Sequence, residues 1–180
     1  MRELSLNVLD IAQNSIAAGA SLTEILVKIN TAESTLLIGI YDNGKGMSEE
    51  QVKSVMDPFF TTRTTRKVGM GIPLFKMAAE QTGGSFTITS QLGMGTRVDA
   101  LFKTDSIDFT PLGDMASTVA TIVSMNEDKD FVYTYSVDGN EFVFNSREIK
   151  TILDGVPLNE PSVMSWIEGY IRENTESLTN

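Results

Sequence analysis

The feature that most constrains the fold of this 180-residue chain is a predicted strand followed directly by the turn DNGKGM. Residues 36–41, with the sequence LLIGIY, form a short apolar run between polar turns, which predicts a β-strand. The strand ends at Asp42, and Gly44 and Gly46 follow at alternate positions. One interpretation is a tight turn, in which Asp, Asn and Gly are common. The other is a ligand site, because glycines let a planar ligand lie against the backbone beside a carboxylate that accepts from an amine.

The apolar spacing along the rest of the chain predicts a mixed α/β fold. Helical spacing is found over 2–18, 49–56, 72–82, 115–125, 146–153 and 161–171. Strands are predicted over 22–29, 36–41, 86–89, 96–102, 131–137 and 141–144. The composition changes after Lys103, where a linker-like stretch follows. We therefore divide the chain into residues 1–104 and a smaller α+β extension over 105–180 that could dock a partner, and we expect the last six residues to fray.

Composition excludes several classes of function. A formal charge of −10 and a pI near 4.4 argue against nucleic-acid and anionic-membrane partners, since phosphates attract basic faces. The sequence has no Cys and no His, which removes disulfides, thiolate nucleophiles, zinc–histidine sites and a phosphohistidine on this chain. No apolar run reaches the ~20 residues of a membrane span, and the N-terminal residues lack a signal-peptide pattern. We therefore expect a cytoplasmic protein.

Asp10 and Asn14 lie one helical turn apart on the first predicted helix. The i,i+4 spacing places both side chains on one face. They could simply face water, as polar residues of an amphipathic helix usually do. Alternatively, the Asn14 oxygen could be a hard ligand for Mg²⁺, with phosphates and waters completing the shell. The Asp10 carboxylate could then orient or deprotonate an attacking group.

Two further glycine pairs lie before the helix predicted over 72–82 and between the strands predicted over 86–89 and 96–102. Gly69 and Gly71 open the helix, where free N–H groups can bind phosphate, and Arg63, Arg66 and Lys67 precede them as a basic cluster in an acidic protein. A solvated loop is the alternative. The turn at Gly93 and Gly95, followed by Thr96, is explained by a hairpin. Methionines such as Met47 and Met70 are expected to line the core or a pocket.

Taken together, these motifs resemble the ATP site of the superfamily of gyrase B, histidine kinases, a mismatch-repair ATPase and a stress chaperone, known as GHKL. LDIAQNSIAAGA resembles its asparagine box, and DNGKGM and GMGIPL resemble its two glycine boxes. DPFFTTRTTRKVG resembles the phenylalanine box and ATP lid of histidine kinases. The resemblance covers residues 1–103. It implies a two-layer α/β sandwich of the histidine kinase-like (Bergerat) type, with helices on one face of a mixed sheet.

The resemblance also implies roles around the adenine and the metal. Asn14 would ligate Mg²⁺, and Asp42 would accept the adenine amine. Gly44 and Gly46 would shape the adenine wall beside Met47. Thr96 would form a hydrogen bond near the adenine.

Around the phosphates, the resemblance assigns Gly69 and Gly71, with Met70 between them, to the cradle formed by the lid and the helix N-terminus. Phe59 would pack the lid. Arg66 and Lys67 as phosphate contacts are an electrostatic inference, since lid residues vary within the family.

The chain departs from the family pattern in three ways. The ATPase members usually have Glu at the base position, where this chain has the shorter Asp10, so turnover could be slow or use a relay water. Residues before the first box leave no room for a sensor kinase's dimerisation helices and phosphoacceptor His. Residues 105–180 have no counterpart in the common kinase domain.

These features predict a stand-alone kinase module that binds ATP and Mg²⁺ and transfers the γ-phosphate to a separate partner protein. The alternatives are a slow ATPase switch and a non-catalytic, nucleotide-bound adaptor. Some small proteins of this superfamily accompany redox-enzyme genes, which makes a component of a redox-enzyme system one candidate partner. The oligomeric state is left open.

Overall fold

A computed structural model describes residues 3–59 and 70–179 of the chain. The helices within these residues are α1 (Leu4–Ala17), α2 (Glu49–Met56), α3 (Gly71–Gln81), α4 (Met115–Met125), α5 (Ser146–Leu153) and α6 (Pro161–Thr179). The strands are β1 (Leu22–Asn30), β2 (Thr35–Asp42), β3 (Ser85–Gln91), β4 (Gly95–Lys103), β5 (Asp130–Val137) and β6 (Asn140–Asn145). The predicted mixed α/β class is confirmed.

The six strands form one sheet in the order β3-β4-β2-β1-β5-β6. Strand β5 is parallel to β1, and all other neighbouring pairs are antiparallel. Buried residues alternate with more exposed ones along β1, and the register places Ile25 opposite both Ile40 of β2 and Tyr133 of β5. One face of the sheet is therefore apolar along its length, and α1, α3, α4 and α6 contact the strands there.

The chain ends its elements where the sequence indicates. Gly19, with φ of +78°, follows α1, and Ser48 and Gln51 form a capping box at the start of α2. Asp138 and Gly139 both have positive φ, as the two-residue turn between β5 and β6 requires.

The linker-like stretch caps helix α1. Glu3 provides no side-chain cap to the helix backbone. Instead, the N–H groups of Leu4 and Ser5 donate to the carbonyls of Pro111 and Leu112, at 2.9 and 2.8 Å. These bonds satisfy two of the N–H groups that a helix start leaves unpaired. The division at residue 104 stays a prediction, and residues on both sides of it share one sheet and one core.

The prediction that the last six residues fray is wrong for those that the structure describes. Helix α6 continues to Thr179 because its last turn has partners. Leu178 packs against the core, and the hydroxyls of Thr179 and Tyr135 lie 2.9 Å apart in a hydrogen bond. Phe131, Tyr133 and Tyr135 are buried, so the interpretation of this hairpin face as core is correct.

Tyr133→Phe should stabilise the fold by about 1 kcal/mol, because a buried hydroxyl without a partner costs free energy. Within the described residues, the Tyr133 hydroxyl is buried and makes no hydrogen bond, and burial raises its pKa. The matched control is Tyr135→Phe, which removes the bond to Thr179 and should cost about 1 kcal/mol. Urea unfolding measures both. A loss of stability in Tyr133→Phe would contradict the assignment.

Candidate functional site

A cavity of about 690 Å³ opens between α1, α2, the start of α3 and the ends of β2 and β4. This volume is in the range of pockets that bind small organic ligands. Of the residues singled out from the sequence, its wall contains Asn14, Asp42, Gly46, Met47, Met70 and Thr96. The floor is apolar, with Ile11, Ile40, Ile72 and Val98. The cavity therefore combines an apolar floor with a few polar groups at its rim.

The Asp42 carboxylate is held in place from two sides. Ser15 of α1 donates its hydroxyl to Oδ2 at 2.6 Å, and the Gly44 N–H donates to Oδ1 at 2.9 Å. Since a carboxylate offers about four lone-pair sites, each oxygen keeps capacity to accept another hydrogen bond. The group is thus fixed in orientation and still able to accept from a ligand.

The turn after β2 has this shape because its glycines have no Cβ. A Cβ on Gly44 would lie 2.9 Å from the Ala18 Cβ and 3.0 Å from Asp42 Oδ1. Gly46 has φ of +71°, and a Cβ there would collide with the carbonyl of Gln91. The close packing of α1 and the β3–β4 turn against this loop requires glycine at both positions.

Asn43 and Lys45 attach the same turn to its neighbours. The Asn43 side chain accepts from the N–H groups of Ser21 and Leu22 at 2.9 and 3.0 Å, which is a structural role. The Lys45 N–H donates to the Ala18 carbonyl at 2.9 Å. Lys45 also lines the cavity and brings a cation to its wall, which the sequence motifs did not indicate.

Thr96 lies opposite Asp42 in the β2–β4 register. Its hydroxyl is 2.8 Å from the hydroxyl of Ser90, which accepts from the Met47 N–H at 2.7 Å and donates to the Gly95 carbonyl at 2.9 Å. Because Ser90 has only one hydroxyl proton, Thr96 donates to Ser90 and keeps its own lone pairs available on the cavity side. Ser90 therefore orients Thr96.

Asp10 lies beside the cavity, where α1 and α3 approach closely. A Cβ on Gly71 would be 2.9 Å from the Asp10 Cβ and 3.8 Å from its Oδ2, so the carboxylate lies next to the start of α3. Burial raises the pKa of Asp10 above the ordinary value of 3.8. Asn14, one turn further along α1, lines the cavity itself.

The structure leaves part of the predicted site untested. Arg66, Lys67 and Gly69 lie outside the described residues, as does the lid predicted around them. Phe59, predicted to pack that lid, is 90% exposed among the residues described, and its N–H donates to Asp57 at 2.8 Å.

The described residues lack two larger features. No group of three or more acidic side chains is arranged to hold a metal ion there. None of the described helices is long and apolar enough to cross a membrane.

Residues 1–106 match the family described as "Histidine kinase-, DNA gyrase B-, and HSP90-like ATPase". The chain is 35% identical over 101 residues to the sensor protein SrrB of Staphylococcus aureus strain NCTC 8325 / PS 47, and equally to that of strain COL. This alignment covers 53% of the chain and only 17% of the relative. The chain also matches a crystal structure of the N-terminal domain of a DNA repair protein, with a TM-score of 0.53 and 15% identity, over 79% of this chain and 52% of that one. The structural match supports the fold alone.

Gly46→Ala should destabilise the protein more than Gly93→Ala. Both residues have positive φ, +71° and +82°, which costs a non-glycine residue about 1–2 kcal/mol. A Cβ at Gly93 meets nothing, whereas one at Gly46 collides with the backbone of Gln91 and should add about 1–3 kcal/mol. Chemical unfolding of both variants measures the difference. Equal losses would show that the loop yields to the extra atom.

Proposed function

The chain belongs to the family of histidine kinase-, DNA gyrase B- and HSP90-like ATPases, and on that premise we propose that it is a stand-alone kinase module that transfers the γ-phosphate of ATP to a separate partner protein. Residues 1–106 are an ATP-binding domain homologous to those of histidine kinases. These 180 residues contain no His, so a phosphohistidine would have to be carried by the partner. A Ser or Thr acceptor is the other possibility.

The fixed Asp42 carboxylate is the observation that carries nucleotide binding. It stands at the rim of an apolar cavity, with an oxygen on each side oriented by Ser15 and Gly44. The exocyclic amine of adenine donates hydrogen bonds, and a preoriented carboxylate accepts one without further ordering cost. The Thr96 lone pairs, directed by Ser90, supply a second acceptor on the same side.

The donors near α1 and α3 fit a magnesium-bound polyphosphate. Asn14 offers one neutral oxygen at the cavity wall, and the described residues provide no acidic cluster for a protein-only metal site. Such a donor set suits Mg²⁺, which takes most of its ligands from phosphates and water. When bound, the metal would neutralise charge on the phosphate oxygens. Lys45 would add positive charge from the wall, and Arg66, Lys67 and the N–H groups near Gly69 and Gly71 are proposed to contact the phosphates.

Asp10 is the proposed proton acceptor. Its raised pKa makes the carboxylate a better base than an exposed aspartate, and the start of α3 beside it is where phosphates would bind. In a kinase, Asp10 would take the proton from the partner's attacking group. In a slow ATPase switch, the second candidate, it would take one from water. Asp10 is not among the residues that line the cavity, so in either reaction it would act through a relay water.

Asp42→Ala should weaken ADP binding by about 2–4 kcal/mol, because it removes a charge-assisted hydrogen bond at a partly buried site. Titration calorimetry measures the affinity. The matched control is Asp105→Ala, an exposed carboxylate outside the cavity that should leave affinity unchanged. Near-native affinity in Asp42→Ala would contradict the adenine assignment.

Asp10→Asn should abolish turnover and leave ATP affinity within a few-fold of the native value, since the amide cannot accept the proton. In the native protein, turnover should fall as the pH is lowered through the pKa of Asp10, which lies above 3.8, because the base must be ionised. Labelled-phosphate release to water separates the ATPase from transfer to a protein. Full turnover in Asp10→Asn would exclude Asp10 as the base, whereas no turnover in the native protein would leave a nucleotide-bound adaptor.

A further inference from the structure

Helix α6 carries an exposed aromatic cluster far along the chain from the nucleotide site. The rings of Trp166 and Tyr170 are stacked, with centroids 5.0 Å apart and planes at 7°. Phe142 of β6 supports Tyr170 edge-on at 5.5 Å. Trp166 is nevertheless 49% exposed and Tyr170 36% exposed. We call these three residues, with Gly169 and Glu173 of the same helix face, the aromatic face.

Gly169 has no structural explanation within the fold. It lies inside α6 without positive φ, and a Cβ added there meets no atom within 4 Å. Glycine inside a helix lowers stability relative to alanine. Residues 166, 169, 170 and 173 follow the i, i+3, i+4, i+7 spacing of one helix face. The glycine therefore leaves the backbone accessible between the aromatic pair and the exposed Glu173.

The net negative charge of the protein lies in the C-terminal part of the chain that carries this face. Residues 105–180 contain 14 acidic and four basic residues, whereas residues 1–104 contain ten of each. The whole net charge of −10 therefore belongs to the C-terminal part. Three of its four cations are already paired, since Arg172 contacts Asp114 and Glu168, and Arg147 and Lys150 contact Asp130. Among the described residues, Glu173 has no ion pair.

We propose that the aromatic face docks a basic amphipathic segment of a partner protein. Lysine or arginine side chains of the segment would meet the Glu173 carboxylate and lie against the stacked rings. An apolar side chain of the segment would pack over Gly169, where the helix backbone is open. A second copy of the chain is disfavoured as the occupant, because two surfaces of the same negative charge repel each other. None of the residues of the aromatic face lines the cavity described above.

Trp166 is the only tryptophan of the chain, so its fluorescence reports on this face alone. The full chain, without nucleotide, is titrated with a peptide of about 18 residues, long enough for a helix, that has Leu on one face and Lys on the other. The control peptide has Glu in place of every Lys. The basic peptide should shift Trp166 emission to the blue and protect it from acrylamide, less so as salt is added. No response, or an equal response to both peptides, overturns the proposal.

Three variants separate docking on this face from general attraction by a charged protein. Gly169→Ala should raise the midpoint of thermal unfolding, because alanine favours a helix more than glycine does. It should also lower the affinity for the basic peptide about tenfold, because docked surfaces pack as tightly as protein interiors. Glu173→Gln should weaken binding and its salt dependence, whereas Glu33→Gln, an exposed acid on the β1–β2 turn, should not. Unchanged affinity in Gly169→Ala, or equal losses in the two Glu variants, overturns the proposal. A shift in Trp166 emission that depends on protein concentration without any peptide, together with a dimer in sedimentation, would also overturn the proposal. These measurements use no nucleotide, so their outcome is separate from that of the proposed kinase activity.

Discussion

The hydrogen bonds that hold the Asp42 carboxylate are the contacts on which the arrangement of the site depends. Ser15 of α1 and the backbone of Gly44 reach the two oxygens of one side chain, so helix, strand end and turn have fixed relative positions. This requires α1 to lie close to the turn, which is possible only because Gly44 has no Cβ to meet Ala18. The polar rim of the cavity is therefore a consequence of backbone packing. A ligand that fits the cavity therefore meets polar groups that are already oriented, so little conformational freedom is lost on binding.

The same helix connects the site to the C-terminal part of the chain. The first N–H groups of α1 donate to carbonyls of the stretch before α4, and α4 and α1 are in contact. Strand β5 also pairs along the length of β1. A partner that displaced α4 or α6 would act on the element that carries Asp10 and Asn14. Coupling between a docked partner and the cavity requires two discrete arrangements of the helices. The contacts between α4 and α1 are the physical link through which such coupling would act.

Local patterns in the sequence predicted the elements well and their partners poorly. Periodicity and capping residues gave the bounds of α2, α4 and α5, and the glycines after Asp42 indicated a backbone position that excludes side chains. The role of Ser15 was not visible, because a hydroxyl on the apolar face of a helix looks like a tolerated small residue. Ser90 acts across a register that only the folded sheet defines. The parallel pairing of β5 with β1 and the order of the last helical turn likewise depend on contacts between residues far apart in sequence.

The shorter carboxylate at position 10 is consistent with the packing around it. Asp10 lies against Gly71 at a distance that leaves no space for a Cβ, so α1 and α3 approach more closely there than side chains would otherwise allow. The same approach removes water from the carboxylate, and this desolvation is what raises its pKa. A glutamate would be one methylene longer and would reach further from the same backbone position. As the proposed base, Asp10 would thus combine a shorter side chain with a raised pKa, which suits proton transfer through one water.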